Sequence, residues 1–165
     1  MKFSFLVLML ALPVAAFAAN PDASFYKHAA EGGIGEVAAG QLAQDKAMTQ
    51  PVKDFGAMMV KDHSAINEKL QALAASKNVT LPTSSGARQM AAKAKLAVLS
   101  GDAFDKSYVK NQVTVHRQAI ALFRKEIISG KDPDAKAFAA ATLPTLRSHR
   151  KAITPIATDI GIKIK

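Results

Sequence analysis

Apolar residues return every third or fourth position along most of this chain, and no period-2 alternation is sustained, so the elements it predicts are helices. The first covers about residues 22–47 and is lined mainly with small residues. Thr49-Gln50-Pro51 breaks the pattern, with proline suited to a first helical position. A second helix covers about 51–77, with the stripe Val52, Phe55, Met59, Ile66, Leu70 and Leu73. A loop with Pro82, two serines and Gly86 follows, then a short helix over about 86–99.

The third long helix covers about 103–129, with Val109, Val113, Ile120, Phe123 and Ile127 on one face, and Gly130 ends it. Asp132-Pro133 opens the fourth, which carries Phe138, Leu146, Ile153, Ile156 and Ile160. Pro144 is expected to kink or restart it. The predicted class is all-α: a four-helix up-down-up-down bundle, with a short extra helix between the second and third long helices.

Polar residues interrupt these stripes at one level. At 100° per residue, Val109, Ile120 and Phe123 fall at about +20°, +40° and −20° from His116, which centres it on the buried face. Phe138 and Ile156 lie at about −20° and Ile153 at about +40° from His149. Phe25, Ala29 and Ala43 lie within about 20° of Glu36. On the second helix, Asp62 and His63 straddle Ile66 at about −40° and +60°, so either can face inward. Each candidate lies near the middle of its segment, where the midpoints of a bundle meet.

Glu36, His63, His116 and His149 are therefore candidate ligands of one divalent transition metal, with Asp62 as a substitute ligand or as the partner of an inward histidine. Imidazole with carboxylate suits zinc, iron or copper, and Met58 and Met59 beside His63 add a hint of copper. A second reading of the same residues is a hydrogen-bonded Glu–His layer that fixes helix register without metal. An unpaired charged Glu in a core costs several kcal/mol, so either arrangement answers a real cost. His28 falls off the stripe and is read as partly exposed, without a role.

The segments Glu31-Gly32-Gly33-Ile34-Gly35-Glu36-Val37, Val52-Lys53-Asp54-Phe55, Met59-Val60-Lys61-Asp62-His63, Gly101-Asp102-Ala103-Phe104-Asp105, Tyr108-Val109 and Leu143-Pro144-Thr145-Leu146-Arg147-Ser148-His149 carry a resemblance. Together they resemble a large family of exported bacterial proteins catalogued as a domain of unknown function and often labelled outer-membrane proteins. The resemblance implies a ferritin-like bundle and a periplasmic or envelope location, and it implies no activity. The chain departs from di-iron bundles, which use Glu-x-x-His on two helices. The residues three before His63, His116 and His149 are Val60, Val113 and Leu146, so a mononuclear site fits better than a di-iron one.

Composition narrows the setting. Lys2, the apolar run from Phe3 and Ala16-Phe17-Ala18 form the pattern of a secretory signal peptide over residues 1–19, leaving 20–165 as a single domain. The chain has no cysteine, so packing alone holds the exported domain together. Net charge is +9, but the cations are dispersed and aromatics are few, which argues against nucleic acid and allows at most a loose attraction to anionic envelope surfaces. Neither a cysteine nucleophile nor a phosphate loop is present, so the reading leans away from an enzyme and leaves a redox enzyme using an open coordination position as a third alternative. The expected function is metal binding with an envelope or stress-related role; the alternative is a structural or interaction module.

Overall fold

The structure, a computed structural model, describes residues 20–164. The expected signal peptide, residues 1–19, lies outside the described residues. The chain forms α1 (Ala23–Lys46), α2 (Gln50–Ser76), α3 (Ala87–Ala97), α4 (Gly101–Ser129) and α5 (Pro133–Asp159), with no strand among the described residues. Pro51 and Pro133 sit in the first turns of α2 and α5, where a missing N–H costs nothing. Asp132 caps α5 by accepting from the Asp134 amide at 3.0 Å. The α5 helix passes through Pro144 and Pro155 without interruption, so the expected restart does not occur. None of these helices is long and apolar enough to cross a membrane.

Helix α1 packs along α2 and α4 along α5, and the two hairpins face each other through α1–α4 and α2–α5. Polar ties at the two ends give the helix directions. At one end, Asp105 near the start of α4 accepts from the Met48 and Thr49 amides at 2.9 and 3.0 Å, at the α1–α2 joint. At the other end, Asp22 accepts from the Lys131 and Asp132 amides at 2.7 and 2.5 Å. Tyr26 donates to Asp132 at 2.9 Å, and Lys77, just past α2, pairs with Asp132 at 3.3 Å.

The end of α2 therefore lies with the end of α4, and these two helices run in the same direction. This corrects the expected up-down-up-down order: the chain runs up, down, down, up. Only the short α1–α2 and α4–α5 joints reverse direction. Residues 77–100 instead travel back along the bundle, with α3 lying on α1. That span is feasible, because α3 covers about 16 Å at helical rise and the flanking extended residues add about 3.3 Å each, against about 40 Å for a long helix.

Two apolar clusters fill the interior. Val52, Phe55, Met59, Phe104, Tyr108 and Ile153 belong to one, and Phe25, Tyr26, Leu70, Phe123 and Leu146 to the other. Each buried large side chain contributes about 1.5–3 kcal/mol relative to exposure. A close backbone approach joins α1 to α2, where a Cβ on Gly40 would lie 2.7 Å from the Gly56 carbonyl oxygen. Of the Gly32-Gly33-x-Gly35 set, Gly33 faces Asn67 and Gly35 faces Gln89, while a Cβ on Gly32 would meet nothing within 4 Å.

Glu126, buried near the end of α4, makes folding pH-dependent. Burial, Asp22 and Asp132 push its carboxyl up to about 7, with Lys136 partly opposing. The unfolded chain releases this proton near the ordinary value of 4.5 while the folded chain keeps it to about 7, so stability falls across that window and is level above it. Glu126→Gln is expected to leave stability at pH 4 unchanged and to raise it at pH 8 by roughly 1–3 kcal/mol. Urea unfolding at the two pH values measures this, and an equal change at both would show that ionisation is not the cause.

Candidate metal centre

Between the two apolar clusters lies a layer made by Glu36 of α1, His63 of α2, Gln112 and His116 of α4, and His149 of α5, all buried. Each sits where its helix passes the bundle's middle, and the stripe that buries its neighbours buries it as well. Ring centroids are 5.4 Å apart for His63–His149, 5.9 Å for His63–His116 and 5.3 Å for His116–His149. One nitrogen from each of these three rings lies within 4.8 Å of the others.

The outer nitrogens of His116 and His149 fix their tautomers. His116 Nδ1 lies 3.0 Å from the Gln112 carbonyl oxygen, which only accepts, so Nδ1 carries the proton. His149 Nε2 lies 2.9 Å from Asp62 Oδ2 and donates to that carboxylate. With both rings neutral, His116 Nε2 and His149 Nδ1 present lone pairs to each other across 3.3 Å. His63 Nε2 is buried and has no hydrogen-bond partner. Two lone-pair nitrogens thus face each other with no proton between them, and His63 brings a third ring nitrogen into the same buried cluster.

Burial holds both His63 and His149 below the ordinary histidine range, and a proton on neighbouring His116 would push each further down. At His149 the Asp62 carboxylate opposes this trend. These two rings are therefore held neutral, the form that binds metal. Nitrogens about 2.0–2.1 Å from a tetrahedral zinc would stand about 3.3 Å apart; His116 and His149 show that spacing, and the three nitrogens together lie within 4.8 Å of one another.

The structure resolves the ambiguity on α2: His63 is buried and faces the layer, while Asp62 has a side chain 32% exposed and reaches across to His149. Glu36 is buried in the same layer but is not part of the nitrogen triangle. Its Oε2 accepts from Gln112 Nε2 at 2.8 Å, and burial raises its carboxyl above the usual range against the opposing His116 and Gln112. His28 is exposed and pairs with Glu31 at 3.3 Å.

One residue of the layer and one beside it escaped the sequence reading. Gln112 bridges Glu36 and His116; it lies one turn before His116, about −40° away on the wheel, but a search restricted to carboxylates and imidazoles passes over an amide. Tyr108, one turn further back, is fully buried with an unpartnered hydroxyl; burial, with the charge of Glu36, holds that phenol well above its ordinary range. Its signal was a polar tip inside an apolar stripe.

Fold and layer together define an all-helical protein whose buried mid-level carries three clustered imidazoles. The chain belongs to the DUF4142 family, described as a domain of unknown function, whose family model matches residues 10–156. It is similar to the crystal structure of a DUF305 protein from Streptomyces coelicolor, described as secreted, with a TM-score of 0.72 and 15% identity over 87% of this chain and 94% of that one. It is also similar to a DUF305 fragment from Deinococcus radiodurans, with a TM-score of 0.73 and 10% identity over 84% of this chain and 95% of that one. At such identities the likeness is one of fold alone. No curated protein matches the chain.

Proposed function

We propose that this is an exported protein that holds one divalent transition metal on His63, His116 and His149 within a ferritin-like bundle. The observation that carries the reading is the buried cluster of three imidazoles, two of which turn an unprotonated nitrogen inward because their outer nitrogens donate to a carbonyl and a carboxylate. That is the arrangement by which metal sites orient their imidazoles. In this reading Asp62 orients His149, and Glu36 stands as a neighbouring carboxyl held by Gln112 rather than as a fourth direct ligand. An imidazole set suits zinc, copper or iron.

The single long crossover over residues 77–100 supports the ferritin-like description. The residue pattern over 1–19 and the secreted description of the Streptomyces coelicolor structure support export to the periplasm or envelope. The role is that of a metal-binding factor of the cell envelope. A second reading, in which the layer only sets helix register, is favoured by the Glu36–Gln112 and Asp62–His149 bonds, which tie α1 to α4 and α2 to α5.

The deciding measurement is metal content. The mature protein, purified without chelators, is expected to carry about one equivalent of a single metal by mass spectrometry. Stripped protein is expected to gain about 2.7 kcal/mol of stability when that metal is restored at 100 times its Kd. Protein that is metal-free as purified and whose melting is unmoved by zinc, copper or iron(II) would support the register reading instead.

A further inference from the structure

A cavity of about 340 Å³ opens between α1, α3 and α4, with Glu36, His63 and His116 closing its inner end. Ala29, Ile66, Val115, Leu122, Phe123 and Leu146 make its walls apolar. Along α1 its lining runs from His28 to Ala39, about 16 Å at helical rise, so the space is elongated along the bundle. Its size falls within the range of small-molecule sites, about 300–1,000 Å³.

Charge is confined to the mouth and the floor. Arg88 and Lys93 of α3 line the opening, and neither forms an ion pair among the described residues. Arg88 Nη1 donates to Gln118 Oε1 at 2.8 Å, which carries the guanidinium across the opening toward α4. His28 at the rim is paired with Glu31. At the floor, Glu36 is a buried carboxyl, and an anion placed there would face it directly. An occupant matching these features has one anionic end at the mouth and an apolar body directed inward.

We propose that this cavity binds a small amphiphilic carboxylic acid, its carboxylate at Arg88 and Lys93 and its hydrocarbon along the walls toward the polar layer. The mouth cations steer the anion in, and wall burial retains the chain. This site does not require the metal: the carboxylate stays at the surface end, away from the ring nitrogens.

Gly32 gives a clean test. It lines the cavity and a Cβ there meets nothing within 4 Å, so Gly32→Leu places a side chain in open space and replaces a helix-weakening residue. The mature protein would be titrated with decanoate and with decanol by calorimetry. Decanoate is expected to bind once per chain and to lose its binding in Gly32→Leu, whose metal content and helical circular dichroism remain those of the wild type. The Arg88→Gln/Lys93→Gln variant is expected to lose about tenfold or more for decanoate, the worth of one hydrogen bond to a charged group, while decanol binding holds. Absence of decanoate binding at millimolar concentration, or equal binding in Gly32→Leu, would overturn the proposal. Binding that vanishes when metal is chelated would overturn it too, since the carboxylate would then sit on the metal.

Discussion

His116→Ala is expected to weaken zinc binding by more than about 100-fold, because loss of a mere outer partner of a metal site already costs about 10–100-fold. The ring it removes supplies one corner of the nitrogen triangle, 3.3 Å from His149 Nδ1 and packed against His63. Loss of one of three donors also loosens the other two, since His149 keeps its Asp62 contact but loses the neighbour toward which its lone pair points. Asp62→Asn supplies the graded comparison. An amide there can still bond to the ring, but it no longer enforces the Nε2-protonated tautomer, so a loss of about 10–100-fold is expected. Competition against a chromogenic chelator reads both. Wild-type affinity in His116→Ala would remove the three-histidine centre from consideration.

A larger effect on folding is expected at the α1–α2 crossing. In Gly56→Leu the Cβ would lie 2.7 Å from the Ala43 Cβ and 2.8 Å from the Gly40 carbonyl oxygen, both on the facing helix. Neither contact is with a flexible side-chain tip, and Ala43 is fully buried, so the helices must separate. Overpacking of this kind costs about 3 kcal/mol or more. For a domain of this size that lowers the melting temperature by roughly 10 °C. A thermal scan of Gly56→Leu beside Gly56→Ala measures it; a melting temperature within a degree of wild type in the leucine variant would show that the two helices are not held this closely.

The sequence made the helices and the phase of three polar residues legible, because burial follows the 100° arithmetic wherever a stripe is well populated. His116 and His149 sit amid large apolar neighbours that define the inward direction within a few tens of degrees. Asp62 and His63 could not be separated this way, since they flank Ile66 on either side; the cross-helix partner of Asp62, His149, decides between them. Direction of travel was illegible for a different reason. A three-residue joint forces reversal, whereas residues 77–100 are long enough to return to either end, and only the ties of Lys77 and Asp105 choose. The cavity was invisible to periodicity because it depends on where α3 lies across two other helices.

The crossover between the hairpins also bears on how the molecule assembles. Each hairpin is contiguous in sequence and can form from contacts close along the chain, whereas joining the two halves requires closure of a long loop. His63 belongs to the first half, and His116 and His149 to the second. The nitrogen triangle therefore does not exist until the halves dock, and an ion held there would rivet the seam where they meet, stabilising the latest step of folding more than the helices themselves.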